Sequence, residues 1–370
     1  MSKYTTFTSE SVCAGHPDKV CDQISDAIVD EVLRTNPNGR AAIETLVTSN
    51  KVVIAGEVKV NKKLNYQKIA KQQIRRLGYT DPKTEFSDQA DIEVYVHAQS
   101  AEIAQGVDQL GAGDQGMMFG YAVNETPEFM PLPIALAHAL AEKMDVLKTS
   151  SLAYLRPDGK TEVTVKYENG KPVGVETIVL ACPHDPVVEK TQVLDDLYLH
   201  AVLPVLESFS LSKIEKSQLI LNGTGRWEIG GPSSDTGVTG RKIIVDTYGG
   251  MGRVGGGCFS GKDVTKVDRA SAYATRYLAK NIVASGLAQR CEVQVAYVIG
   301  YKDPIAKAIE TFGTETAPIK TIEDYAWSLL DLSVQGIVEG LDLLRPIYSK
   351  TARYGHFGHA EYPWEKLALR

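Results

Sequence analysis

The stretch Pro17–Val60, PDKVCDQISDAIVDEVLRTNPNGRAAIETLVTSNKVVIAGEVKV, opens one structural unit. Val20, Ile24, Ala27, Ile28 and Val32 recur at helical spacing, and Pro17 suits the first helical position, so a helix is expected from Pro17 to about Thr35. Two runs rich in β-branched residues follow, Ala41–Val47 and Lys51–Val60, parted by the polar Thr48-Ser49-Asn50, which predicts a hairpin. A polar helix from Tyr66 to Leu77, stopped by Gly78, and an alternating strand at Ile92, Val94 and Val96 complete the unit.

The same order recurs twice. Leu132–Val146 reads as a helix, Glu162–Tyr167 and Val173–Ala181 flank the hairpin signal Asn169-Gly170, Val187–Leu206 reads as helical and Leu219–Leu221 as a short strand. In the last third, Val267, Ala270, Ala274, Tyr277, Leu278 and Ile282 line a helix face before a strand at Glu292–Ile299, with two further helical patterns after Thr321. The expectation is three helix-and-sheet units of about 110 to 130 residues, an ordinary domain size.

Composition narrows the class. With 370 residues, 43% hydrophobic residues and a mean hydropathy of −0.15, the chain suits a globular protein of two or three domains rather than a fibre or a disordered chain. The N-terminus MSKYTTFTSESV lacks the apolar centre of a signal peptide, and no run approaches the roughly 20 apolar residues of a membrane span. The expectation is a cytoplasmic protein with no membrane partner. Cys13, Cys21, Cys182, Cys258 and Cys291 form no paired motif, which argues against disulfides or a zinc site and for small buried residues. A net charge of −6 argues against general nucleic-acid binding. Arg241, Lys242, Arg253, Lys262, Lys266 and Arg269 nevertheless outnumber Asp246, Asp263 and Asp268 within one short glycine-rich segment, a pattern that fits a small polyanion.

Four glycine-rich turns carry ionisable groups. Gly255–Lys266, GGGCFSGKDVTK, places a glycine run before Lys262, Asp263 and Lys266: glycines let N–H groups approach anionic oxygens, lysines neutralise them, and a carboxylate can hold Mg²⁺. It is not a P-loop, because Asp263 replaces the required hydroxyl and the apolar strand expected at Ile243–Val245 lies too far upstream. Gly15-His16-Pro17-Asp18-Lys19 stands where a loop enters a helix, a position that favours anions. His16 reads either as a donor to a phosphate or as a plain cap, and Asp18 either as a cation ligand or as a complement to the helix end. Gly111–Gly116 and Arg156–Lys160 read alone as a tight turn and a solvated loop. Asn222–Lys242, NGTGRWEIGGPSSDTGVTGRK, surrounds Arg226, Trp227, Asp235, Arg241 and Lys242 with glycines, an aromatic and basic set suited to a base and its phosphates. Together these turns describe a composite nucleotide site.

GHPDK at 15–19, GAGDQG at 111–116, GRKIIVDTYGGMGR at 240–253 and GGGCFSGKD at 255–263 resemble the S-adenosylmethionine synthetase family, from Phe7–Ser11 through Tyr354–Gly358. The resemblance implies an α/β (α+β) fold of three pseudo-symmetric domains, here 1–100, 114–229 and 230–370, with a mobile gating loop at 101–113. It implies a homodimer with shared active sites, or a dimer of such dimers, that joins ATP and L-methionine with two Mg²⁺ per site and one K⁺ per subunit. His16 would lie at the triphosphate near the leaving oxygen, and Asp18 and Asp268 would each hold Mg²⁺. Lys160, Arg241, Lys242, Lys262 and Lys266 would surround the polyphosphate, Lys266 also nearing methionine. Asp158 would face the ribose, Arg226 and Trp227 the adenine, and Glu57, Gln99 and Asp235 methionine, with Asp235 and Cys258 also beside ATP; Glu44 matches the potassium ligand. Three features depart from the family pattern: the short stretch Gln99–Gly113, Trp227 in place of Phe, and Cys258 in place of Ala, whose thiol either loses its proton more easily near Lys262 or is an inert filler. The rival reading is an ATP or tripolyphosphate hydrolase, which needs no methionine pocket.

Overall fold

A computed structural model describes residues 5–98 and 111–368. The strands are β1 (Thr6–Val12), β2 (Arg40–Thr48), β3 (Lys51–Lys59), β4 (Asp91–Ala98), β5 (Gly116–Val123), β6 (Lys160–Glu168), β7 (Lys171–Ala181), β8 (Leu219–Leu221), β9 (Gly237–Val238), β10 (Arg290–Tyr297) and β11 (Ala306–Glu310). The helices are α1 (Pro17–Thr35), α2 (Tyr66–Arg76), α3 (Leu132–Lys148), α4 (Lys190–Leu197), α5 (Leu203–Ser208), α6 (Ile243–Asp246), α7 (Val267–Ala284), α8 (Ile319–Ser328), α9 (Val334–Gly340) and α10 (Tyr348–Thr351).

Three sheets form among the described residues, in the orders β1-β6-β7-β8, β11-β10-β5 and β4-β3-β2-β9. Each packs against one long helix: α3 on β1 and β6, α7 on β5 and β10, α1 on β2. The threefold helix-and-sheet expectation therefore holds, and Asn169-Gly170 turns the β6–β7 hairpin with both residues at positive φ (51° and 77°), the geometry of a type I′ turn. The sheets do not follow the linear thirds. β1 pairs with β6, Thr6 opposite Lys166; β5 pairs with β10; and β9 closes the first unit's sheet, β4-β3-β2, on β2.

Two expectations are corrected. Ile243–Val245 is not a strand but the start of α6, closed by the Asp246 N–H donating to the Lys242 carbonyl (2.8 Å). The apolar run reflects packing at one turn, with Val245 buried and Ile244 exposed, rather than the alternation of a pleat. The Val187–Leu206 segment begins only at Lys190 and is split by a π-helical turn at Tyr198–Val202, just before Pro204, which has no N–H to donate.

The long helices are crosslinked by buried charge. Arg269 of α7 makes a two-pronged contact with Asp26 of α1 (2.6 and 2.8 Å), and Arg276 of α7 does the same with Glu365 (2.9 and 3.0 Å). Cys13, Cys21, Cys182 and Cys291 are buried free thiols, as expected.

Candidate active site

The site begins at the N-terminus of α1. His16 caps the helix, its Nδ1 accepting from the Asp18 N–H (3.2 Å). Burial, reinforced by the Lys242 charge, pushes its pKa down to about 3, so the imidazole is neutral. With Nδ1 an acceptor, the proton resides on Nε2, and the two readings of His16 merge: one nitrogen caps, the other is left as a donor.

Asp18 accepts from the Val238 N–H (2.9 Å) and from the Lys242 ammonium (2.6 Å), with Arg241 Nε at 4.0 Å. Burial opposes its ionisation, but the Lys242 and Val238 hydrogen bonds prevail and hold its pKa below the usual carboxylate value. Lys160 begins β6 opposite Val12, exposed, and its charge adds to those that keep His16 neutral.

The next residues follow without a break. Asp22 of α1 accepts from the Gly240 N–H (2.8 Å), and Gly240 lies so close to Cys258 that a Cβ there would approach the Cys258 Cβ to 2.6 Å. Lys262 follows, its ammonium on Asp268 of α7 at 2.5 Å, with Glu44 of β2 among the charges acting on it. A row of contacts through Asp22, Gly240 and Cys258 thus brings together the segments whose lysines meet Asp18 and Asp268.

Two readings change here. Asp263 is not available to a cation: it accepts from the Ala41 N–H (2.9 Å), from Thr265 through both N–H and hydroxyl, and from Lys266 (2.6 Å), which holds the turn before α7. The Cys258 thiol does not lose its proton more easily; burial outweighs Lys262 and pushes its pKa up to about 11. It is a small packed residue against Gly240.

Other expected residues are placed apart from this row. Both Asp158 oxygens are engaged by backbone, from Gly159 (2.7 Å) and Gly231 (2.7 Å), which pins the loop before exposed Asp235. Arg226 lies among the Pro186 carbonyl (3.0 Å), Glu189 (3.6 Å) and Glu228 (3.8 Å), while Trp227 donates to the Ile229 carbonyl (2.7 Å). Glu57 of β3 faces His97 Nε2 at 3.4 Å. Gln99 and gating-loop residues 101–110 lie outside the described residues.

Lys19, Asp22 and Asp246 were missed by the sequence reading. The signal was partial: Asp22 stands one turn after Lys19 on a helix, whereas Asp246 joins them from 227 positions away.

The donor set suits Mg²⁺. Asp18 and Asp268 each offer one carboxylate beside a lysine, and Mg²⁺ is commonly held by one or two carboxylates while substrate phosphates and waters supply the remaining oxygens. Among the described residues no cluster of three acidic, histidine or cysteine groups is placed to hold a metal ion. The recess bordered by Asp268, Met117, Gly255 and Gly257 has a volume of ≈ 20 Å³, room for about one water. Larger recesses of ≈ 860 Å³ along α2 and ≈ 570 Å³ beside α3 lack these carboxylate–lysine pairs.

The N-terminal, central and C-terminal domain models of S-adenosylmethionine synthetase match residues 4–101, 109–227 and 229–366. The chain belongs to the S-adenosylmethionine synthetase family. An S-adenosylmethionine synthase from Parafrankia sp. (strain EAN1pec) is 49% identical over 380 residues, covering 97% of this chain and 95% of that protein. No described helix is long and apolar enough to cross a membrane.

Proposed function

We propose that this protein makes S-adenosylmethionine from ATP, L-methionine and water, releasing phosphate and pyrophosphate. Family membership and the full-length relative support the reaction. The observation that supports the reading is the pair of carboxylate–lysine contacts at two helix N-termini, Asp18–Lys242 and Asp268–Lys262. That is an arrangement for polyphosphate.

The methionine sulfur bonds to C5′ of ATP as the C5′–O bond breaks and tripolyphosphate leaves with the electron pair; water then cleaves one P–O bond of the tripolyphosphate. A thioether needs no deprotonation, so the protein's work is alignment and charge stabilisation. The His16 Nε2–H donates toward the leaving oxygen, and Lys160, Arg241, Lys242, Lys262 and Lys266 surround the phosphates. Asp158, through the Gly231 loop, serves the ribose side, Arg226 and Trp227 the adenine, with Asp235 and Cys258 also beside ATP, and Glu57, Gln99, Asp235 and Lys266 methionine. Asp18 and Asp268 hold two Mg²⁺ ions and Glu44 a K⁺; bound Mg²⁺ neutralises the phosphate oxygens.

The active form in this reading is a cytoplasmic homodimer with shared sites, alone or paired into a tetramer. Each sheet leaves a large apolar side chain exposed, Tyr95 on β4, Met117 on β5 and Ile220 on β8, and the recess beside Asp268 is water-sized among the described residues. Both features fit faces that a second copy covers.

The test is to incubate the protein with ATP, methionine, Mg²⁺ and K⁺, omit each in turn, and follow the sulfonium product with phosphate and pyrophosphate. Product that requires methionine and Mg²⁺ supports the reading. Phosphate release indifferent to methionine replaces it with the hydrolase.

A further inference from the structure

The segment that carries Arg241 and Lys242 has little regular structure of its own: β9 is two residues long and α6 four. Its position comes from the first two turns of α1. Gly237 passes so close to Pro17 that a Cβ would fall 2.2 Å from the Pro17 carbonyl carbon. Asp18 then accepts from the Val238 N–H (2.9 Å) and Asp22 from the Gly240 N–H (2.8 Å). Beyond Lys242, the segment is caught once more, by Lys19. Its ammonium is bound to Asp22 (2.9 Å) and to Asp246, the last residue of α6, and its side chain is 0% exposed. Lys19 therefore cannot touch a substrate. It grips the helix that bears His16 and Asp18 and the far end of the segment that bears Arg241 and Lys242.

We propose that Lys19, through its contacts with Asp22 and Asp246, is a positioning residue that sets the separation between His16 and Asp18 on one side and Arg241 and Lys242 on the other. The inference rests on the site reading given under Proposed function. A buried ammonium between two carboxylates is poor evidence of added stability, since apolar replacements of such clusters are often as stable. What it supplies is a fixed distance across the phosphate cradle, and a misplacement of about 1 Å at such a site can cost about 100-fold in rate.

The decisive variant is Asp246→Ala in the full-length protein. It cuts the strut but leaves Lys19 and Asp22 as a balanced pair, so no charge is stranded. The expected result is a melting temperature near that of the wild type, kcat lowered at least about tenfold and the KM for methionine unchanged. Lys19→Met strands two carboxylates and is expected to melt lower; adding Asp22→Asn and Asp246→Ala removes both stranded charges and recovers the melting temperature but not kcat, and Lys19→Arg recovers part of kcat. Folded Asp246→Ala protein with wild-type kcat overturns the inference, as does the triple variant regaining full kcat with its stability.

Two controls separate this failure from that of the broader reading. A wild-type protein that forms no sulfonium product removes the proposed function whatever the variants do. Active wild type with Arg241→Ala and Lys242→Ala at full kcat removes the site assignment. Active wild type, impaired Arg241→Ala and Lys242→Ala, and intact Asp246→Ala removes the positioning role alone.

Discussion

The N-termini of α1 and α7 differ sharply from that of α3, although all three helices occupy equivalent places on their sheets. α1 and α7 each carry an aspartate at the second helical position, Asp18 and Asp268, and each aspartate meets a lysine from a glycine-rich segment. α3 has Pro133 there, is preceded by Pro131, and has the Leu132 N–H taken by Glu125 (2.9 Å), a carboxylate that also binds Tyr167 (2.9 Å). Two helix ends are thus open to anionic oxygens and cations, and the third is closed by its own protein. A threefold architecture does not make a threefold site; the residues at the helix entry decide which ends can act.

The comparison breaks most readily at the active ends. Lys262→Ala and Asp18→Asn are each expected to lower kcat about 100- to 1,000-fold in the sulfonium assay, the usual loss when a transition-state charge partner is removed. Melting temperatures close to that of the wild type would confirm that these residues act on substrate. If one end proved dispensable, the pairing of α1 with α7 would lose its meaning. Next in size is the crosslink between these helices: Arg269→Met leaves Asp26 buried and unpaired, with an expected loss of about 3–5 kcal/mol in denaturant unfolding. Glu125→Ala at the closed end is expected to cost about 1 kcal/mol of stability with kcat unchanged, because it removes only a cap and a hydroxyl partner. A large loss of kcat there would give α3 a catalytic share.

A further effect is one of pH. Burial, with Asp22 and Asp26 opposing Lys19, pushes the Asp246 pKa up to about 7. A carboxyl raised in the folded state contributes stability that is full below its unfolded value, near pH 4, and fades as pH climbs through about 7. Lys19, Asp22, Asp26 and His356 face it; burial and the Arg269 charge hold His356 neutral throughout this range, while Lys19 stays charged. Asp246→Ala is therefore expected to flatten the decline in melting temperature between pH 4 and 7, and an unchanged slope would locate the buried proton elsewhere.

Much of this contrast is legible in residue order. Helical spacing marks α1 and α7, and Asn169-Gly170 marks its hairpin because few other pairs tolerate two positive φ values in succession. The Gly15–Lys19 motif announces anion chemistry through its position at a helix entry and Lys262 through the glycine run before it, whereas the role of Asp268 is implied only by the family resemblance. The failures are nonlocal. Ile243–Val245 has the composition of a strand, and only the packing of a four-residue turn makes it helical. Asp263 carries the same chemistry as Asp268; Thr265 is a partner from its own turn, but nothing in the local sequence reveals that Ala41, 222 positions away, also occupies its oxygens. Likewise the partnership of Lys19 with Asp246 exists only once the sheets have brought α6 under α1.

The exchange of strands between sheets has a consequence for how the chain emerges during synthesis. β1 is made first but finds its partner only when Lys160–Lys166 has left the ribosome, and the first sheet gains its last strand only with Gly237-Val238. β5 waits longer still, for Arg290–Tyr297. Folding strictly in order from the N-terminus is therefore incomplete in this chain: β2, β3 and β4 can pair as they emerge, but β1 and β5 present unpaired edges until their distant partners are made, the period in which chaperones matter most.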